Sequence, residues 1–148
     1  MNFYITGASR GLGEYLANHF KCYTIGRPVD LIKDIDAIME AGFEEGDVVI
    51  LNAHANQLEY VERLQDRCRL VVMGSIAATN FNPEMPKYSR EKWELEKVVQ
   101  QIALHSKYPM LYLKLTSSSY KNYKLIANSI QFWLDNPDTT FIGYNVND

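Results

Sequence analysis

The amino-acid sequence predicts an α/β fold in which helices cover both faces of a doubly wound parallel sheet. Strand-like and helix-like patterns alternate along the 148 residues without repeats or a convincing linker, which is typical of parallel sheets. Residues 47–51 (DVVIL) form a continuous apolar run, as expected of a strand buried on both faces. A short apolar run at residues 3–5 leads into a glycine-rich turn and a helical pattern. We therefore predict one three-layer α/β/α domain spanning residues 1–148.

The first strand is followed by the turn T-G-A-S-R-G-L-G at residues 6–13. A helix is predicted after the turn from the helical spacing of Tyr15, Leu16, His19 and Phe20. Gly7 permits a tight turn, Gly11 lets a pyrophosphate approach the backbone, and Gly13 lets helix and strand pack closely. The free N–H groups at the helix start, with the positive end of the helix dipole, would hold the anion.

The next elements are short. A second strand is predicted at residues 22–25, and the turn at Gly26, Arg27 and Pro28 ends it. Residues 29–31 are consistent with a brief third strand and residues 35–41 with a helix. The run at residues 47–51 is then the fourth strand.

The rest of the chain continues the alternation. Helical spacing of apolar residues predicts helices at residues 57–67, 88–105 and 125–134. Apolar runs predict strands at residues 70–73, 110–115 and 140–144. Two prolines place residues 80–86 in a loop.

The composition is that of an ordinary folded chain, since 47% of its residues are hydrophobic and 22% are charged. A formal net charge of −3 argues against a nucleic-acid-binding surface, which would normally be basic. No apolar run approaches the length that spans a bilayer, and the first strand follows Met1 and Asn2 without a signal-peptide pattern. We therefore expect a cytoplasmic protein with no membrane or nucleic-acid partner.

The two cysteines, Cys22 and Cys68, are expected to be free thiols. Cys22 opens the second strand and Cys68 precedes the fifth, and in the strand order 3-2-1-4-5-6 these two strands are three steps apart, which is roughly 14 Å. A disulfide needs Cα atoms within about 7 Å. No spacing of histidines and cysteines suggests a metal site.

Candidate site residues converge on one edge of the predicted sheet. Ligands bind beyond the carboxyl ends of the strands, near the point where strand order reverses. Strands one, four and five end there, at Gly7, Asn52 and Ser75. Tyr88 and Lys92 are four residues apart on a helix and so share a face, which can be presented to the same crevice.

These motifs resemble those of the short-chain dehydrogenase/reductase family. The resemblance rests on the turn T-G-x-x-x-G-x-G, on Asn52-Ala53 after a buried strand, and on Ser75 followed 13 residues later by Y-x-x-x-K at Tyr88 and Lys92. It covers nearly the whole chain in the same order. It implies a Rossmann-type fold, a nicotinamide dinucleotide cofactor, and hydride transfer between the nicotinamide and a carbonyl or alcohol substrate.

The resemblance also implies roles for individual residues. Tyr88 would be the general acid, Lys92 would lower the pKa of Tyr88 and hold the nicotinamide ribose, and Ser75 would donate a hydrogen bond to the substrate oxygen. The alternative for Tyr88 and Lys92 is an exposed aromatic residue at a helix start and a solvated lysine. The positions that match the family's cofactor site are Gly7, Ser9, Arg10, Gly11, Leu12, Gly13, Arg27, Asp30, Leu31, Asn52, Ala53 and Lys92.

Two arginines favour NADP(H) over NAD(H). Arg27 occupies the end of the second strand, where an acidic residue would repel a 2′-phosphate, and Arg10 lies within the glycine turn. A guanidinium suits phosphate, although both arginines could simply be solvent-exposed. Asp30 and Leu31 match a pair that contacts adenine in the family, and Asp30 is nearly as well suited to be a helix N-cap.

Three features depart from the family. His54 stands where glycine is usual; it is either a satisfied loop histidine or a contact to cofactor or substrate. The nearest amides to the family's relay asparagine, Asn56 and Gln57, lie at a different spacing, so we expect no complete relay. The segment at residues 116–123 is short, which predicts an open pocket without a lid.

Two functions therefore remain. One is an NADP(H)-dependent reductase of a small or loosely enclosed carbonyl compound. The other is a dinucleotide-binding module, a sensor or partner subunit, with little turnover. We also expect a homodimer or higher homo-oligomer if Trp93 is an exposed anchor on its helix, the alternative being burial of Trp93 in the core.

Overall fold

The computed structural model describes residues 1–25, 36, 39–40, 42–116, 118–136 and 138–146. Its strands are β1 (Phe3–Thr6), β2 (Tyr23–Ile25), β3 (Val48–Leu51), β4 (Arg69–Ser75), β5 (Met110–Leu115) and β6 (Phe141–Val146). Its helices are α1 (Gly11–Phe20), α2 (Gln57–Leu64), α3 (Pro86–Ala103) and α4 (Tyr123–Leu134). Single 3₁₀ turns lie at Ile76–Ala78 and Ser119–Lys121.

Within the described residues, the strands form one sheet in the order β2-β1-β3-β4-β5-β6. Every neighbouring pair is parallel. The chain builds outward from β1 to β2 and then returns to add β3 on the other side of β1. Strand order therefore reverses between β1 and β3, which is where such sheets bind ligands. The predicted doubly wound α/β fold is confirmed.

Helices cover both faces of the sheet. Helices α1 and α4 pack on one face through apolar residues that include Leu12, Leu16, Ile126, Ile130 and Trp133. Helices α2 and α3 pack on the other through residues that include Tyr60, Val61, Leu64, Leu95 and Val99. Because both faces are covered, every residue of β3 and β4 is buried, as expected of central parallel strands.

Element boundaries differ from the sequence predictions by a few residues. The sequence pattern places Pro86 in a loop, but helix α3 begins there. Proline suits the first helical position because no N–H partner is needed there and because the φ of proline is helical. The same helix ends at Ala103, two residues before the predicted end. Strand β4 extends to Ser75, whereas apolar character alone marked only residues 70–73.

Several predictions lie outside the described residues. They are the turn at residues 26–28, the strand at residues 29–31 and most of the helix at residues 35–41. The proposed cofactor contacts Arg27, Asp30 and Leu31 lie there too.

Cys22 and Cys68 are free, as predicted. Burial raises the pKa of each thiol to about 12, because a thiolate is poorly solvated in apolar surroundings. Neither thiol therefore has thiolate character at neutral pH. In the part of the chain that the structure describes, no helix combines the length and apolar character needed to cross a membrane.

Candidate active site

A cleft of about 1260 Å³ opens at the carboxyl ends of the central strands. Residues that follow β1, β3, β4 and β5 line it, together with the first turns of α3. It brings together eight of the residues that the sequence singled out: Gly7, Ser9, Arg10, Asn52, Ala53, Ser75, Tyr88 and Lys92.

Gly7 and Gly13 have the geometry that the spacing of the glycine turn predicts. Gly7 has a φ of 69° and Gly11 a φ of 58°, in the left-handed region that glycine adopts without penalty. A Cβ at Gly13 would lie 1.8 Å from the carbonyl oxygen of Gly7. Helix α1 therefore approaches the end of β1 more closely than any larger residue at position 13 would allow.

Among the residues that the structure describes, three predicted cofactor positions do not line the cleft. Gly11 lines a separate depression with Tyr15 and Tyr123, and both Leu12 and Gly13 are buried within α1. The side chain of Leu12 belongs to the apolar core. Any contact between Leu12 and a ligand would have to be made by its backbone.

Asn52 and Ala53 join the end of β3 to the end of β1. The side-chain Nδ2 of Asn52 donates to the carbonyl oxygen of Gly7 at 3.1 Å, and the backbone N–H of Ala53 donates to Thr6 Oγ1 at 3.0 Å. The Oδ1 atom of Asn52 is buried and has no hydrogen-bond partner among the described residues. A buried acceptor of this kind normally has a partner, so it is available to a ligand in the cleft.

Ser75 is the last residue of β4 and has extended backbone geometry. Its Oγ accepts a hydrogen bond from the backbone N–H of Ala77 at 3.1 Å. This bond uses a lone pair and leaves the hydroxyl proton free to be donated. The preceding residue, Gly74, is required by packing, because a Cβ there would lie 2.2 Å from the buried ring of Tyr112.

Tyr88 and Lys92 face the cleft from the first turns of α3. Lys92 Nζ lies 5.7 Å from the centroid of the Tyr88 ring. Burial lowers the pKa of Lys92 from its ordinary 10.5 to about 8, and the nearby carboxylate of Glu91 partly offsets that effect. The interpretation of Lys92 as a solvated surface lysine is wrong, since the residue is only 4% exposed.

Sequence reasoning considered Gln57 only as an amide at the wrong spacing for the relay asparagine, and it missed the contact of Gln57 with Lys92. The side-chain Oε1 of Gln57 accepts a 2.6 Å hydrogen bond from Lys92 Nζ. A signal was present, because Gln57 is the one polar member of the buried stripe of α2, where Tyr60, Val61 and Leu64 are the others. A polar residue on an apolar stripe needs a buried partner.

His54 lies in the cleft wall rather than in an isolated loop. Its ring centroid is 4.9 Å from that of Tyr88, and its Nε2 lies 2.6 Å from Glu91 Oε2. The histidine thus connects the loop after β3 to helix α3, beside Tyr88.

Comparison with known proteins supports the fold. No protein-family model matches the chain, and no curated protein matches it. Among solved structures, the chain is similar to the crystal structure of a short-chain dehydrogenase/reductase from Vibrio parahaemolyticus, with 16% sequence identity and a TM-score of 0.74. The similarity covers 99% of this chain and 100% of the Vibrio chain. Together with the strand order, it establishes a Rossmann-like α/β fold.

Proposed function

We propose that this chain is an NADP(H)-dependent oxidoreductase that transfers a hydride between the nicotinamide and a carbonyl or alcohol substrate, with Tyr88 as general acid and base. One observation carries the proposal. A single cleft is lined by the glycine turn, by Asn52, and by Ser75, Tyr88 and Lys92. The last three residues are distant from the glycine turn in sequence.

The residues of the cleft fit a nicotinamide dinucleotide. The tight Gly7 turn and the absent Cβ of Gly13 bring the end of β1 close to the start of α1, and such a turn suits a pyrophosphate. The buried Oδ1 of Asn52 is an unused acceptor. The cleft, at about 1260 Å³, exceeds the roughly 300–1,000 Å³ typical of pockets for drug-sized ligands.

The bound cofactor would supply or accept the hydride, and the protein would handle the proton. A free tyrosine side chain has a pKa near 10, which makes it a poor proton donor at neutral pH. The ammonium of Lys92, 5.7 Å from the Tyr88 ring, would stabilise the phenolate that remains after the proton has left. The free hydroxyl proton of Ser75 would hold the substrate oxygen in place as negative charge develops on it.

The remaining wall of the cleft is largely uncharged, which supports a neutral, partly apolar substrate. Ile76, Met85, Leu115 and Tyr120 line it. Seven residues, 116–122, separate β5 from α4, and those of them that the structure describes include a 3₁₀ turn at Ser119–Lys121. A connection of this length suits a loosely enclosed substrate.

The second candidate function is a dinucleotide-binding module with little turnover, which the short connection between β5 and α4 favours. Cofactor binding alone requires only Lys92 among the three proposed catalytic residues. The presence of Ser75 and Tyr88 in the same cleft favours the enzyme.

Anaerobic titration with NADPH, followed by a screen of carbonyl compounds for loss of nicotinamide absorbance, tests the proposal. We expect saturable NADPH binding and turnover of at least one aldehyde or ketone. Firm binding without turnover of any compound would favour the module. Failure to bind either NADPH or NADH would contradict both candidates.

A further inference from the structure

The Gln57 side-chain amide connects Lys92 to the sheet through three hydrogen bonds. Its Nε2 donates to the carbonyl oxygens of Leu51 at 2.8 Å and Met73 at 3.0 Å, at the end of β3 and near the end of β4. Its Oε1 accepts from Lys92 Nζ at 2.6 Å. Gln57 is only 3% exposed, so water does not readily replace these partners.

The partners determine which way the amide points. Two carbonyl oxygens need donors, and the Lys92 ammonium, which has no acceptor, needs an oxygen. Reversing the amide would set an oxygen against two carbonyl oxygens and an NH₂ group against the ammonium. Each contact would then be repulsive, so a single orientation is stable.

The same partners restrict Lys92. An ammonium has three N–H groups, and two of them have protein acceptors, Gln57 Oε1 at 2.6 Å and the Met73 carbonyl oxygen at 3.0 Å. One N–H remains for the cleft that Lys92 lines. A flexible lysine side chain is thereby held in one conformation.

We propose that Gln57 is a positioning residue that holds the Lys92 ammonium in its charged form and directs its remaining N–H into the cleft. This inference rests on the proposed function for its catalytic consequence, because Lys92 is the cation that supports Tyr88. The hydrogen bond itself is a direct contact between the two side chains, at 2.6 Å, and its test needs no cofactor.

The amide favours the ammonium because a hydrogen bond to a charged donor is stronger than one to a neutral donor. Burial works in the opposite direction and lowers the pKa of Lys92 to about 8. Removing the amide oxygen should therefore lower the pKa of Lys92 further. A carboxylate in its place should raise the pKa of Lys92.

The titratable groups that act on Lys92, and the groups next to those, are unchanged by substitution of Gln57. Tyr88 and Glu91 act on Lys92 itself. Beyond them, His54 pairs with Glu91, Tyr112 is affected by the charges of Glu96 and Tyr88, and Lys114 pairs with Glu96. Both carboxylates have another partner, since Glu91 pairs with His54 at 2.6 Å and Glu96 with Lys114 at 2.7 Å. A difference between variants at position 57 thus reports on the amide.

NMR titration of protein labelled at lysine Cε tests the inference without cofactor or substrate. The Lys92 signal is assigned by its loss in Lys92→Met. We expect Gln57→Met, which keeps the shape and loses the hydrogen bonds, to lower the Lys92 titration midpoint by about one pH unit. Gln57→Glu should raise it. The control is Gln65→Met, which removes an exposed amide near the end of the same helix and should leave the midpoint unchanged.

The unmodified protein provides a second test if a Gln57 variant does not fold. The side-chain NH₂ signals of Gln57 should titrate with the midpoint of Lys92, and that titration should vanish in Lys92→Met. The inference would be overturned if the Lys92 titration midpoint were the same in all folded Gln57 variants. It would also be overturned if the Gln57 side-chain NH₂ signals did not shift as Lys92 titrates.

The catalytic consequence is read from the pH profile of turnover. The alkaline loss of kcat should move to lower pH in Gln57→Met and to higher pH in Gln57→Glu. A merely structural role would reduce activity in both variants without moving the two profiles in opposite directions. If the NMR midpoints shift as expected but NADPH does not bind, the proposed function fails while the positioning of Lys92 stands.

Discussion

The Asn52 side chain donates a hydrogen bond to the carbonyl oxygen of Gly7 at 3.1 Å, across the two strands between which the sheet reverses its order. Gly13 lies against both groups. A Cβ at position 13 would meet the Gly7 oxygen at 1.8 Å and Asn52 Nδ2 at 2.7 Å. The glycine turn is therefore constrained by an amide from the next strand as well as by its own backbone.

Gly13→Ala should be more damaging than Gly11→Ala in the same turn, above all to NADPH binding. The added methyl group of Gly13→Ala meets backbone atoms that cannot move aside, so we expect a loss of about 1–3 kcal/mol in the free energy of unfolding and loss of NADPH binding. Gly11→Ala meets only the Tyr123 hydroxyl, at 3.5 Å, and should cost about 1–2 kcal/mol for its positive φ. Urea unfolding and NADPH titration measure both effects. Stronger NADPH binding by Gly13→Ala than by Gly11→Ala would contradict this account of the turn.

Tyr88→Phe should abolish most turnover and preserve cofactor binding. The substitution keeps the ring and removes only the proton donor, so kcat should fall by about two orders of magnitude or more. Tyr108→Phe is a matched control, because Tyr108 also has a lysine over its ring, Lys107 at 5.4 Å, but does not line the cleft. Activity of Tyr88→Phe close to that of Tyr108→Phe on a true substrate would show that the assigned mechanism is wrong.

NADPH should bind more tightly than NADH. Arg10 lines the cleft beside the glycine turn, and a guanidinium there can pair with a 2′-phosphate. We expect Arg10→Ala to weaken NADPH binding more than NADH binding, and Arg27→Asp to reverse or abolish the preference. The control is Arg67→Ala, which removes an exposed arginine outside the cleft and should change neither affinity. Equal affinities of the unmodified protein for the two cofactors would refute the assignment.

Lys92 should give the stability of the protein a distinctive pH dependence. Its pKa falls from 10.5 in the unfolded chain to about 8 in the folded protein. Between these values the unfolded chain retains a proton that the folded protein has released, so stability rises with pH. Relative to Lys92→Met, the free energy of unfolding should increase by on the order of 3 kcal/mol from pH 8 to pH 10.5. Urea unfolding across this range provides the measurement. The exposed Lys97, on the same helix, is the control, since Lys97→Met should follow the unmodified protein.

The protein should form a homodimer through the outer face of α3. Trp93 is 49% exposed, which excludes burial in the core, and Lys97 Nζ lies 5.8 Å from its ring. An exposed tryptophan is a common anchor of interfaces. Sedimentation at micromolar concentration should detect a dimer, and Trp93→Ala should disrupt that dimer. The control is Phe132→Ala, which removes a similarly exposed aromatic side chain on α4 and should leave the dimer intact. A monomer at every concentration would end the proposal.

Most of the described fold follows from local patterns. The run at residues 47–51 is buried in the sheet as predicted, because a central parallel strand has no solvated face and so is rich in apolar residues. Residues 110–115 form a strand as predicted. Ends of elements were less certain, as at Pro86, because the start of a helix depends on capping and on neighbouring packing as well as on periodicity.

By itself, the sequence determined the alternation of strands and helices, the position of the glycine turn, and the spacing of Ser75, Tyr88 and Lys92. Those features depend on residue type and short-range periodicity, which can be read along the chain. Only the tertiary structure decided that Gln57 would hold Lys92, because 35 positions separate the two residues. Their contact depends on how α2 and α3 pack at the ends of β3 and β4. A hydrogen bond of 2.6 Å requires a particular distance between two helices, and no local pattern specifies that distance.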